Sequence, residues 1–144
     1  LAALVLAATP WAAGQELPRE LTTVDGKSLN LADGPTELLF VARWCGPCER
    51  EITLTRRRLA EFQRRGYRVV IVGVVQRQTA QQLEEWARAA GWDGPLVFDQ
   101  DRALELALSA KLIPWFTVLG ADGKPLHNGE SAPTPEQLRG WLRP

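Results

Sequence analysis

The spacing of hydrophobic positions changes repeatedly along the chain, and each change marks an element. Leu21 to Val24 and Ser28 to Leu31 flank the turn pair Asp25-Gly26, which predicts a small N-terminal hairpin. Leu38 to Ala42 reads as a short strand, after which Ile52, Leu59 and Phe62 recur at helical spacing from about Cys45 to Arg65, with Gly66 as the stop. Tyr67 to Val75 is almost wholly apolar, as in a strand covered on both faces, and strand, helix and strand in that order predict a right-handed parallel crossover. Thr79 and Gln82 form a capping box that opens a helix through Ala90, closed by Gly91. Leu96 to Phe98 is a short strand, and Asp101 to Ala110 another helix. Trp115 to Leu119 and a partner near Leu126 flank Asp122-Gly123 as a second hairpin, and Thr134, Pro135 and Gln137 start a final helix. The predicted fold is α/β: a mixed sheet, parallel then antiparallel, with helices on both faces.

With 144 residues, 45% hydrophobic and 24% charged, the chain fits one globular domain, and a disordered or collagen-like chain is excluded. Seventeen basic residues balance seventeen acidic ones, which argues against a nucleic-acid partner. Two cysteines and one histidine cannot complete a four-ligand zinc site, so no metal is expected. Residues 1–14 begin with the apolar run Leu1 to Ala8 and continue through Pro10 to small residues at Ala12-Ala13-Gly14. That order matches the end of a signal peptide or of a membrane anchor, the alternative being an apolar terminus packed on the domain at 15–144. Export would place the cysteines in an oxidising compartment.

The chemistry centres on Trp44-Cys45-Gly46-Pro47-Cys48, where a strand hands over to a helix. Cys45 then lies beside unpaired backbone N–H groups and the positive end of the helix dipole, which favours a thiolate. Two intervening residues let the sulfurs meet, with Cys45 as the exposed nucleophile and Cys48, one turn inside, as the resolving thiol. A structural bridge would close almost no loop here, so a redox pair is the stronger reading. Lowering a thiol pKa from about 8.5 to about 7 multiplies the thiolate at neutral pH roughly sixteenfold and weakens each thiolate about fivefold. The shift therefore governs redox poise more than speed.

The sequence resembles the thioredoxin superfamily, and within it the exported TlpA/ResA-like thiol-disulfide oxidoreductases. The resemblance is carried by Phe40-Val-Ala-Arg-Trp44 before the cysteines, Glu51 after them, the Ile113-Pro114 step and Asp122-Gly-Lys124, and it covers roughly Glu16 to the C-terminus. It implies a thioredoxin-like fold in which the hairpin is an N-terminal addition and the helix from Thr79 a central insertion. It implies catalysis by Cys45, Cys48 and Glu51, the last as the base that deprotonates Cys48; the alternative for Glu51 is an acid that only complements the helix dipole. Trp44, Gly46, Pro47, Ile113, Pro114 and Trp115 are the expected substrate-contacting residues, with Pro114 in the cis form. It further implies a disulfide-bearing protein substrate, such as apocytochrome c, and a membrane thiol-reducing relay as electron donor. A periplasmic or other extracytoplasmic location follows, with a membrane tether if residues 1–14 are retained. The chain is expected to be a monomer without an organic cofactor.

Some positions depart from that pattern. Leu39 stands where cytoplasmic thioredoxins carry a buried acid, Thr53 where relatives kink the helix with proline, and Trp115 where a small residue is usual. Trp115 either stacks on substrate or lies in the core. Arg56-Arg57-Arg58 reads as a solvated helix face or a docking site for an acidic partner, and His127 as an exposed hairpin residue. The rival functions are a disulfide oxidant or isomerase on the same fold, and a binding module with an idle cysteine pair.

Overall fold

The computed structural model describes residues 16–142, so the proposed signal-peptide remnant or anchor at 1–14 lies outside the described residues. Among the described residues no helix is long and apolar enough to cross a membrane. The first two strands, β1 (Glu20–Thr22) and β2 (Ser28–Asn30), form the expected antiparallel hairpin as a sheet of their own. Gly26, at φ 84°, makes its turn. A backbone bond from Val24 N–H to Leu96 C=O fastens this hairpin to the main sheet.

The main sheet has the order β5-β4-β3-β6-β7. The strands β3 (Thr36–Val41), β4 (Arg68–Gly73) and β5 (Leu96–Phe98) are parallel, and β6 (Trp115–Leu119) and β7 (Pro125–Gly129) run antiparallel beside β3. β3 is central and fully buried, which its run Leu38-Leu39-Phe40-Val41 requires. The expected mixed sheet is therefore present, with β4 ending before Val75.

Two successive crossovers travel the same way across this sheet, so α1 (Cys48–Phe62) and α2 (Ala80–Ala89) share a face. α2 approaches so closely that a Cβ on Gly73 would sit 2.0 Å from the Leu83 side chain. That position excludes any larger residue. Thr79 caps α2 through the expected box, and Gly91 follows the helix at φ 95°. α3 (Ala103–Leu108) lies on the opposite face, tied through Asn128 Nδ2 to the Leu108 carbonyl at 2.8 Å. It is shorter than the sequence predicts because Arg102 and Ser109 both adopt positive φ and bound it. The Asp99 carboxylate supplies the start of α3, accepting from the Leu104 N–H at 3.1 Å and the Glu105 N–H at 2.9 Å. The last helix, α4 (Pro135–Trp141), begins at the Thr134 capping box and reaches α1 through Arg139 and Glu61.

α1 also differs at both ends from its predicted span. It starts at Cys48 with Pro47 as its cap, because a residue preceding proline is driven from helical geometry and Gly46 occupies that place. It runs unbroken through Thr53, then tightens into a 3-10 turn at Gln63–Arg65 that stops at Gly66 with φ 83°.

Candidate active site

Cys45 and Cys48 are joined as a disulfide with their Cα atoms 5.4 Å apart. Cys45 lies two residues before the cap and three before α1, and Cys48 is the first helical residue rather than one turn inside. Cys48 is fully buried, and Cys45 is buried as well rather than exposed, with 8% of its surface open, so the outer cysteine is only the more accessible of the two. The Cys45 carbonyl accepts from the Cys48 N–H at 3.2 Å, and its own N–H donates to Ala42 at 3.1 Å. The pair thus sits on a turn that carries β3 directly into α1.

The segment after β4 holds this turn from the side. Gln78, buried, accepts from the Arg43 N–H at 2.9 Å through Oε1 and donates from Nε2 to the Val74 carbonyl. The Trp44 indole N–H donates to the Gln76 carbonyl at 2.8 Å, and the Arg77 guanidinium lies 4.3 Å from the Trp44 ring centroid. Trp44 therefore stands beside the disulfide in a fixed orientation while remaining 41% exposed. Gln76 also donates to the Glu105 carboxylate at 3.2 Å, which leaves its Oε1 buried without a partner. Gln76, Arg77 and Gln78 are missing from the sequence-level site. Their polar Gln-Arg-Gln run between an apolar strand and a capping box was the available sign.

Ile113 and Pro114 are joined by a cis peptide bond and are half-buried. Ile113 and Trp44 line one cavity of about 220 Å³, so the chain brings the two predicted contact regions together. Trp115 settles between its two sequence readings: half-buried against the core, its indole N–H donates to Asn128 Oδ1 at 2.7 Å. Asn128 also accepts from Thr117 Oγ1 at 2.7 Å, so this β7 residue fixes the strand that leaves Pro114. Gly46 and Pro47 are exposed at the turn, and Glu51 is half-buried one turn along α1 from Cys48.

A buried acid is present, two residues before Leu39. Glu37 is fully buried on the α1 face of β3, where Arg58 Nε and Nη2 donate to its two oxygens and Tyr67 Oη donates to Oε1 at 2.6 Å. Arg58 is therefore no member of a solvated face; its side chain is 10% exposed and also donates to Thr55 Oγ1 at 2.7 Å. Burial pushes the Arg58 guanidinium toward losing its proton, but the Glu37 carboxylate outweighs this and the net shift is upward. Burial and the same carboxylate push the Tyr67 phenol well above its usual range. Arg58 lies ten residues, about 15 Å, along α1 from Cys48. His127 is half-buried rather than exposed, bonded through Nε2 to the Ser131 carbonyl at 2.6 Å. Among the described residues no His, Cys, Asp and Glu side chains converge as a metal site.

A disulfide pair in the turn at the head of a helix, on a mixed sheet whose next strand follows a cis-proline, defines a thioredoxin-fold thiol-disulfide oxidoreductase. Residues 12–138 match the Redoxin family, and the chain belongs to that family as a ResA/TlpA-like member. It is 22% identical over 134 residues to the thiol-disulfide oxidoreductase ResA of Bacillus anthracis, covering 90% of this chain and 76% of that one. In structure it is similar to StoA from Bacillus subtilis, with TM-score 0.70 and 24% identity over 86% of this chain and 95% of that one. A thioredoxin from Neisseria meningitidis, described as putative, superposes with TM-score 0.72 at 18% identity, covering 84% and 82% of the two chains. These likenesses in structure establish the fold.

Proposed function

We propose that the protein is an extracytoplasmic reductant of disulfides in exported proteins, with apocytochrome c as a candidate client. The observation that carries the catalytic part is the asymmetry of the pair, Cys45 outside the helix and retaining 8% exposure, Cys48 sealed at its first residue. In the reduced protein the Cys45 thiolate attacks one sulfur of the client disulfide, releasing one client thiolate and forming a mixed disulfide. Cys48, deprotonated, then attacks Cys45 Sγ. The Cys45–Cys48 disulfide forms, the second client thiolate leaves, and two electrons have passed from protein to client. Glu51 accepts the Cys48 proton; its half-buried place one turn along the helix supports this role. Trp44, Gly46, Pro47, Ile113, Pro114 and Trp115 form the surface around the reacting sulfurs, Trp115 through its hold on the strand after Pro114. The domain spans 15–144 and works as a monomer, and a membrane thiol relay returns the electrons. Residues 1–14 export the chain or tether it.

The deciding measurement is the reduction potential of the Cys45/Cys48 pair. A value near or below about −250 mV supports the reductant, and one above about −150 mV reverses the direction of flow. Cys48→Ser is expected to accumulate a mixed disulfide with its client. Glu51→Gln is expected to slow release from that mixed disulfide, and turnover unchanged between about pH 6 and 9 would remove Glu51 from the mechanism.

A further inference from the structure

The cavity beside Trp44 and Ile113 does not end there. It shares Gln76, Glu105, Ala110 and Lys111 as walls with a second compartment of about 370 Å³ that extends to Leu106 and Ser109 on α3. The two make one groove that begins at Trp44, the chain neighbour of Cys45. Four large hydrophobic side chains are exposed among the described residues, and three of them, Trp44, Leu106 and Leu112, border or adjoin this groove. Its charge is one-sided. Glu105, the lining carboxylate, is already paired with Arg102 at 2.5 Å and held by Gln76. Lys111 on the wall and Arg77 above the Trp44 ring have no carboxylate within ion-pair distance among the described residues. Exposed aromatic and aliphatic anchors flanked by free cations are complementary to a segment with apolar and acidic side chains.

We propose that this groove receives the client polypeptide next to its target cysteine and selects extended segments that carry Asp or Glu beside an apolar residue. The inference rests on the oxidoreductase reading and adds the substrate class. The six residues of α3 extend about 9 Å, enough to lie alongside roughly three residues of extended chain. The acidic side chain therefore falls within about three residues of the client cysteine, where it meets Lys111 and Arg77.

The test uses the reduced full chain and three disulfide-bonded reporter peptides, identical except for a Glu-Glu, Gln-Gln or Lys-Lys pair beside a leucine near the cysteine. At low salt the acidic peptide is expected to be reduced roughly threefold to tenfold faster than the neutral one, and the basic peptide slower. The ratio should collapse between about 20 mM and about 300 mM salt. In the double variant Arg77→Glu, Lys111→Glu the order of the acidic and basic peptides should invert, a ratio that does not depend on the overall rate of the variant. Equal rates for all three peptides, a preference for the basic one, or an acidic preference kept by the double variant would overturn the groove assignment while leaving the oxidoreductase reading intact. A concentration-dependent dimer that hides Trp44 and Leu106 would also overturn it, by making a second copy the occupant. Failure to exchange with any peptide or with oxidised glutathione would overturn the oxidoreductase reading as well.

Discussion

Arg58 meets Glu37 with two parallel hydrogen bonds, Nε to Oε1 at 3.1 Å and Nη2 to Oε2 at 3.2 Å, between α1 and the central strand. The guanidinium carbon also lies 5.6 Å from the Phe116 ring centroid, so one side chain joins the helix that begins with Cys48 to both β3 and β6. The cluster braces the scaffold at the end of α1 remote from the cysteines. Removing one member leaves a buried charge behind, and this is far worse than removing both. Arg58→Leu is expected to destabilise the fold by about 3–5 kcal/mol, with Arg58→Leu, Glu37→Leu recovering most of that loss in urea unfolding. A loss below about 1 kcal/mol would reduce the pair to the standing of a surface ion pair.

Gln78 links the backbone just before Trp44 to the end of β4. Gln78→Leu deprives the Arg43 N–H and the buried Val74 carbonyl of their partner, and is expected to lower stability by about 1–3 kcal/mol. Because the freed segment carries Trp44 and Cys45, client reduction should fall further than reduction of a small disulfide. Equal losses for the two substrates would confine Gln78 to a structural role.

Asn128 serves Trp115, Thr117 and the Leu108 carbonyl at once. Asn128→Leu is expected to destabilise by about 1–3 kcal/mol and to change Trp115 emission, which Trp115→Phe in the same background would identify. Unchanged emission would mean that Trp115 keeps its place without this bond.

Asp99 holds the start of α3, and with it Glu105 and the Gln76 contact. Burial raises its carboxyl above the ordinary 3.8, partly opposed by the two backbone N–H bonds from Glu105 and Leu104. A raised folded-state pKa means that the folded protein holds the proton more tightly than the unfolded chain does. Its contribution to stability is therefore greatest below the ordinary value and declines as pH rises through the folded one. Asp99→Ala should cost about 1–2 kcal/mol through loss of the cap, and the gap to wild type should narrow as pH rises above the ordinary carboxyl value of 3.8. A gap that widens over that range would contradict the direction of the shift.

Local patterns carried much of this protein by themselves. The two turn pairs Asp25-Gly26 and Asp122-Gly123, the capping boxes at Thr79 and Thr134 and the stops at Gly66 and Gly91 depend on neighbouring residues alone, and they recur in the structure at those places. The Cys45/Cys48 pair is likewise local, since two intervening residues suffice to bring the sulfurs together. The start of α1 is local too, because a residue before proline disfavours helical geometry and Gly46 precedes Pro47. What tertiary structure decided is what depends on distant partners. Arg58 looks like one more arginine in an exposed run until β3 places Glu37 beneath it, 21 residues away in sequence. Gln78 reaches back 35 residues to the Arg43 backbone, and Trp115 acquires its orientation only when β7 brings Asn128 across the sheet. No periodicity encodes these contacts, because a buried polar side chain is satisfied by whichever partner the packed sheet and helices deliver to it.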